Sequence, residues 1–193
     1  MKKIILTVAS VFALSFANAQ SYTKPSAGST QVEVTFTPNL SGATMFALPS
    51  FYNDKKSDVE GIRVRKFSSD TKAMRYTALL KVNKDGKDAE TEFGVALGVG
   101  VENHMKGADR LSTYWGYEGN VGFSKDAVKT TTIGVSAQLF TGCDYYIMPN
   151  VYLGAEIHYG LSVLNTKPDG GDSDTKFGLN PSLNPSLRLG WRF

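Results

Sequence analysis

Seven apolar side chains stand at every second position of one stretch: Val151, Leu153, Ala155, Ile157, Tyr159, Leu161 and Val163. Between them lie Tyr152, Gly154, Glu156, His158, Gly160 and Ser162. A period of two held this long excludes a helix and demands an extended strand with one apolar and one polar face. The last residues repeat the pattern, with Leu187, Leu189, Trp191 and Phe193 opposite Arg188, Gly190 and Arg192. A final strand with one greasy face and one cationic, glycine-bearing face is rare in a soluble sheet. It suits a barrel, in which the last strand pairs with the first and no edge remains.

The same alternation recurs along the chain. It predicts strands over 31–37, 58–67, 72–83, 90–102, 111–123, 131–144, 151–163 and 177–193. Pro181 and Pro185 remove ladder donors, so the upper half of the eighth strand is expected to be irregular or unpaired. The predicted connections alternate between longer and shorter, although 124–128 is short for an outer loop. The expected fold is therefore all-β: a closed antiparallel transmembrane β-barrel of eight strands in up-and-down order.

Alternation does not say which face is inside, but three features do. Glycine gathers on the polar face, where it costs a strand roughly 0.5–1 kcal/mol relative to alanine. Inside a narrow barrel that cost makes room for long charged side chains. Secondly, the charges on that face balance. Glu33, Glu92, Glu102, Glu118, Asp144 and Glu156 stand against Arg63, Arg65, Arg75, Lys81, Arg188 and Arg192, with His158 beside Glu156. We read these thirteen residues as a lumen ion network, because an unpaired buried charge costs several kcal/mol. Thirdly, aromatic residues cluster toward strand ends: Tyr114 and Trp115, Tyr145 and Tyr146, Trp191 and Phe193. Such rings favour the membrane–water boundary, and barrels wear them as girdles. On this reading an arginine at Leu153 would sit at mid-membrane and oppose insertion.

Residues 1–19 read as a cleaved export signal. Lys2 and Lys3 precede an apolar run from Ile4 to Phe16, shorter than the ~20 residues a helical span requires. Ala17-Asn18-Ala19 forms a small-x-small cleavage site, so the mature barrel domain is expected to occupy 20–193. Cleavage takes two of the 21 basic residues and none of the 18 acidic ones, so the formal charge falls from +3 to +1. That leaves no charge argument for nucleic acid. Cys143 is the chain's single cysteine, so no internal disulfide staples the fold.

The chain resembles the small outer-membrane β-barrel domains of Gram-negative bacteria, of OmpA/OmpX-like size. The resemblance rests on the export signal, on Arg65-Lys66-Phe67 leading through a short turn to Arg75, and on Gly116-Tyr117-Glu118. Tyr152-Leu153-Gly154-Ala155-Glu156 and Leu187-Arg188-Leu189-Gly190-Trp191-Arg192-Phe193 complete it. It implies a place in the outer membrane, contact with its lipid, and insertion by the barrel assembly machinery. That machinery would read the last strand, with Trp191 and Phe193 as the assembly signal.

No cofactor and no metal site is expected. Glu156, His158 and Ser162 share one face, but Ser162 lies roughly 13 Å from His158 at ~3.3 Å per residue, too far for a nucleophile–base pair. Ser136 on a neighbouring strand is a second serine whose register the sequence does not define. We therefore expect no enzyme. The acidic run Asp169-Gly170-Gly171-Asp172-Ser173-Asp174 lacks the spacing and closing glutamate of an EF-hand and reads as a solvated loop. The favoured function is a barrel with a plugged polar lumen and a structural or interaction role. Its outer loops, 39–56 and 165–175, would meet a surface or membrane-protein partner. The alternatives are a narrow porin-like conduit for small solutes and a soluble lipocalin-like carrier with the faces inverted.

Overall fold

The computed structural model describes residues 24–36, 59–84, 86, 90–105 and 108–193. The expected export signal 1–19 and the loop 39–56 lie outside these residues, and so does the side chain of Lys81. Eight strands follow in order: β1 (Thr30–Phe36), β2 (Val59–Ser69), β3 (Lys72–Asn83), β4 (Glu92–His104), β5 (Leu111–Lys125), β6 (Thr131–Met148), β7 (Val151–Lys167) and β8 (Asp174–Arg192). Each pairs antiparallel with its neighbours, and β8 closes on β1 from Gln31 opposite Arg192 to Phe36 opposite Leu187. Beyond that ladder the Phe193 amide donates to the Thr30 carbonyl at 2.8 Å. Closure leaves no exposed edge along this seam.

An even strand number puts both ends of the barrel chain on one side, here called the terminal end. Two connections there are tight, with β2 turning into β3 at Asp70 and Thr71 and β6 into β7 at Pro149 and Asn150, while the third, from β4 to β5, spans 105–110. At the opposite, loop end, β5 turns into β6 through 126–130. The Asp126 carboxylate caps that turn, accepting from the Val128 and Thr130 amides at 3.0 and 2.8 Å. Lys129 adopts φ 62 there.

Several strands outrun the stretches in which apolar residues alternate. β7 continues from Val163 to Lys167, and β8 begins at Asp174, so the loop between them shrinks to 168–173. β6 carries Tyr145 and Tyr146 within the strand rather than in a turn. In the β7 and β8 extensions most residues are polar and at least half-exposed, so the ladder persists where the hydropathy signal fades. The upper half of β8 is also a correction. Asp174 to Asn180 pairs regularly with Thr166 to Gly160. The irregularity is a register shift between His158 and Gly160, opposite Asn184 and Asn180, confined to residues 181–183, while Pro185 keeps its place opposite Ile157.

The apolar rows face outward. Leu80, Leu97, Leu139, Ile157, Leu161 and Leu189 are all exposed, Leu80 by 70%. The buried set is instead mostly polar and charged, and it fills the barrel axis. On β7 the outward apolar row spans Val151 to Val163, about 30 Å along the barrel axis at ~3.3 Å per residue and a tilt of about 40°. That is close to the ~25 Å apolar band of outer-membrane barrels.

Candidate functional site

The lumen's composition follows from strand parity. Glu33 on β1, Arg63 and Arg65 on β2, Arg75 on β3, Glu102 on β4, Glu118 on β5, Asp144 on β6, Glu156 on β7 and Arg188 on β8 all point inward and are at most 3% exposed. Every strand therefore contributes a charge to one interior cluster. Arg65 stands directly opposite Arg75 across the β2–β3 pair. Two cations so placed would repel unless a carboxylate divides them. Glu102 does so, at 3.0 Å from Arg65 Nη1 and 3.4 Å from Arg75 Nη1.

The remaining carboxylates work the same way. Glu33 meets Arg63 at 2.9 Å, Arg188 at 3.0 Å and Arg65 at 3.3 Å, and also accepts from the Tyr152 hydroxyl at 2.8 Å. Asp144 joins Arg65 at 2.7 Å to Arg188 at 2.9 Å. Glu118 pairs with Arg75 Nε and accepts from Thr77 Oγ1 and Gln138 Nε2, both at 3.3 Å. Glu156 is the most connected. It accepts from Arg75 at 3.0 Å, Arg63 at 3.3 Å and the Tyr114 hydroxyl at 2.8 Å, and it lies 2.9 Å from His158 Nε2. Sharing each guanidinium among several carboxylates offsets a desolvation penalty of several kcal/mol per ion.

The structure brings together ten of the thirteen residues read from the sequence: Glu33, Arg63, Arg65, Arg75, Glu102, Glu118, Asp144, Glu156, His158 and Arg188. Glu92 is only half-buried and sits at the loop-end rim, opposite Asn83. Arg192 sits at the terminal rim and donates to the Pro149 carbonyl at 3.0 Å and Asn150 Oδ1 at 3.1 Å. Lys81 lies outside the described side chains. Among the described residues the buried set is therefore five carboxylates and four guanidiniums, joined by His104 and His158, rather than six against six. Parity assigns a face and says nothing of height along the barrel, which is why rim and centre looked alike.

Aromatic rings line this cluster on the terminal side, and parity was misapplied to two of them. Adjacent residues in a strand point opposite ways, so Tyr114-Trp115 and Tyr145-Tyr146 cannot all sit in a girdle. Trp115 faces outward, half-exposed, while Tyr114 and Tyr146 are fully buried in the lumen. Tyr146 accepts from Gln31 Nε2 at 2.8 Å and stacks obliquely on Tyr152 at 5.4 Å. His104 lies beyond the predicted end of the fourth strand at 102. It ends β4, with Nε2 3.0 Å from Glu102 and Nδ1 2.9 Å from Ser112 Oγ. Its ring lies between those of Phe67 at 4.9 Å and Tyr114 at 5.0 Å. The Arg75 guanidinium packs over Phe140 at 3.8 Å, and Arg65 over Tyr152 at 5.0 Å. The shared parity of Tyr114, Gly116 and Glu118 was the available signal.

The glycines have a more specific task than general spaciousness. Tyr114 stands opposite Gly142, Phe140 opposite Gly116, and Tyr152 opposite Gly190. In each pair the ring lies across the glycine, where a Cβ would strike it. At Gly116 the added carbon would also strike the Val101 carbonyl, part of the neighbouring strand's ladder. Gly116→Ala should therefore destabilise the barrel by about 1–3 kcal/mol, as overpacking does. Gly119, on the outward face, has only Ser136 O near its would-be Cβ, at 3.9 Å. Gly119→Ala should stabilise by about 0.5–1 kcal/mol. Urea unfolding of both variants in lipid vesicles measures the contrast, and equal shifts would contradict the ring-over-glycine packing.

No family model and no curated protein matches this sequence. Solved structures do. The N-terminal β-barrel domain of Pseudomonas aeruginosa OprF aligns over 88% of this chain and 100% of its own, with a TM-score of 0.50 at 12% identity. Outer membrane protein AlkL, solved in DMPC bilayers, aligns over 91% and 93%, with a TM-score of 0.52 at 14% identity. The fold is that of the eight-stranded outer-membrane β-barrels. E. coli outer membrane protein W shares it as well, over 87% of this chain and 99% of that one, with a TM-score of 0.50 at 18% identity. The outer-membrane barrel fold thus survives with little sequence in common, because it asks only for parity, closure and a filled lumen.

Proposed function

We propose that this protein is an integral outer-membrane barrel with a plugged lumen, serving a structural or interaction role at the membrane surface. The observation that carries the proposal is the buried ion cluster. It draws one charged side chain or more from each of the eight strands, and the rings of Phe67, His104, Tyr114, Tyr146 and Tyr152 pack beneath it. A permeating ion would have to break bonds shared among several partners at once. The outward apolar rows support the membrane location, since a soluble carrier would need them inside. Loop-end surfaces are left to meet a partner, namely the segment 168–173 and the loop 39–56, the latter outside the described residues.

Insertion by the barrel assembly machinery is part of the same proposal. Trp191 and Phe193 project outward at the closing strand, 54% and 77% exposed, where an assembly factor could reach them. A catalytic role is not proposed. Ser136 stands opposite Ser162, while His158 stands opposite Phe140, four residues away along β6 or roughly 13 Å. That separation is no better than the one within β7.

In planar bilayers the purified, folded protein should carry no steady ionic current. A stable open channel in the unmodified protein would favour the conduit reading and remove the plug.

A further inference from the structure

On the loop side of the ion cluster the lumen changes character. Along β5 and β6, the inward positions above Glu118 are uncharged: Asn120 and Gly122 on one strand, Gln138, Ser136 and Gly134 on the other. Asn120 stands opposite Ser136, Ser136 opposite Ser162, and Gln138 opposite Gly160. Asn120, Ser136 and Gln138 are each more than nine-tenths buried, at 6%, 8% and 3% exposure. Among the described residues, none of Asn120 Oδ1, Asn120 Nδ2, Ser136 Oγ and Gln138 Oε1 has a hydrogen-bond partner. His158 Nδ1 on the same side is likewise unpartnered.

Leaving such groups buried and unmade costs more than a made bond returns, so a cluster of them points to something that meets them. The set is balanced. Asn120 Nδ2 and the Ser136 hydroxyl donate, while Asn120 Oδ1 and Gln138 Oε1 accept. Gln138 donates one amide hydrogen to Glu118 at 3.3 Å, which turns its Oε1 away from that carboxylate. An added ion of either sign would find only half of this set complementary. A hydroxyl, which donates and accepts at once, matches both halves. Glycine lets these side chains lie where they do: a Cβ at Gly98 would collide with Asn120 Oδ1, and one at Gly160 would come within 2.9 Å of Gln138 Cβ.

We propose that the loop-side half of the lumen is a binding chamber for a neutral, hydroxyl-bearing ligand, either ordered water or a small polyol. Asn120, Ser136 and Gln138 hold it, and the ion cluster forms its floor. The chamber is independent of the surface role proposed above, because it rests on interior side chains alone.

The test uses the full folded barrel in detergent micelles, with the side-chain amides of Asn120 and Gln138 followed by NMR. Ordered water predicts through-space cross-peaks from both amides to long-lived water. A polyol site predicts shifts confined to these amides on titration with glycerol. Either result supports the chamber and names its occupant. Absence of both water cross-peaks and glycerol shifts would overturn it. In Asn120→Leu, the Gln138 amide should lose its water cross-peak or respond to glycerol about tenfold more weakly, the upper range of one lost hydrogen bond. An unchanged Gln138 response in that variant would also overturn the shared site. Should Asn120→Leu fail to refold by gel mobility, Ser136→Ala makes the same comparison. Bilayer conductance stays a separate readout, so failure of the chamber and failure of the plug are distinguishable.

Discussion

Arg65→Leu should destabilise the barrel by about 3–5 kcal/mol, the range expected when one partner of a buried ion cluster is removed. Arg65 contacts Asp144 at 2.7 Å, Glu102 at 3.0 Å and Glu33 at 3.3 Å, and all four side chains are fully buried. Leucine fills much of the volume but leaves three carboxylates short of a cation. It also worsens the balance, because the described buried set already holds five carboxylates against four guanidiniums. Glu156→Gln is the informative partner variant. It removes a charge from the side in excess and keeps an acceptor for Tyr114 and the arginines, so about 1–2 kcal/mol is expected, nearer the cost of a weakened hydrogen bond. Lys66→Leu, one residue from Arg65 but on the exposed face, should shift stability by no more than about 0.5 kcal/mol. Equilibrium unfolding in lipid vesicles ranks the three. A cost for Glu156→Gln equal to that for Arg65→Leu would mean that the cluster is not short of positive charge.

Ile157→Arg should be the most damaging change on the outer face. The apolar row of β7 runs from Val151 to Val163, and Ile157 is its middle member. A cation at the midplane of a lipid-facing barrel costs about 2–4 kcal/mol. Leu153 shares the face but lies lower. It pairs with Tyr145 and Leu189, one same-face step from Val151, which is opposite Trp191 near the terminal rim. An arginine there can extend its guanidinium to the interface, so a cost of about 0–1 kcal/mol is expected. This corrects the placement of Leu153 at mid-membrane. The yield of heat-modifiable, folded protein on refolding into vesicles should fall sharply for Ile157→Arg and little for Leu153→Arg. Equal, small effects would show that this face does not meet hydrocarbon. Gly154→Ala, on the opposite face of the same strand, is not benign either. The new Cβ would approach Asp144 Oδ1 to 2.7 Å and Arg188 Nη2 to 2.8 Å, so that ion pair must yield.

The order of eight antiparallel strands, the inward face of each and the identity of most lumen charges were legible before any coordinates. Local parity sorts the side chains onto two faces, because a face is decided by position in a pleated strand, and glycine with balanced charge marks the inward one. What parity hides is height. It could not separate Glu92 and Arg192 at the rims from Glu156 at the centre, nor Leu153 from Ile157. It also missed the strand extensions at Lys167 and Asp174, where both faces are polar and alternation carries no signal.

Cross-strand register supplied the remainder. Only pairing of β5 with β6 and β7 with β8 lays Tyr114, Phe140 and Tyr152 over Gly142, Gly116 and Gly190. Only closure lets Glu156 on β7 reach Arg63 on β2 and Arg75 on β3 across the lumen. The sequence by itself determined which residues share a face, since that depends on a period of two, and which face turns inward, since glycine and balanced charge gather there. The tertiary structure decided which of those inward charges meet, and left Asn120, Ser136 and Gln138 above them. Those contacts depend on how far one strand is displaced along the next, and no single strand contains that distance.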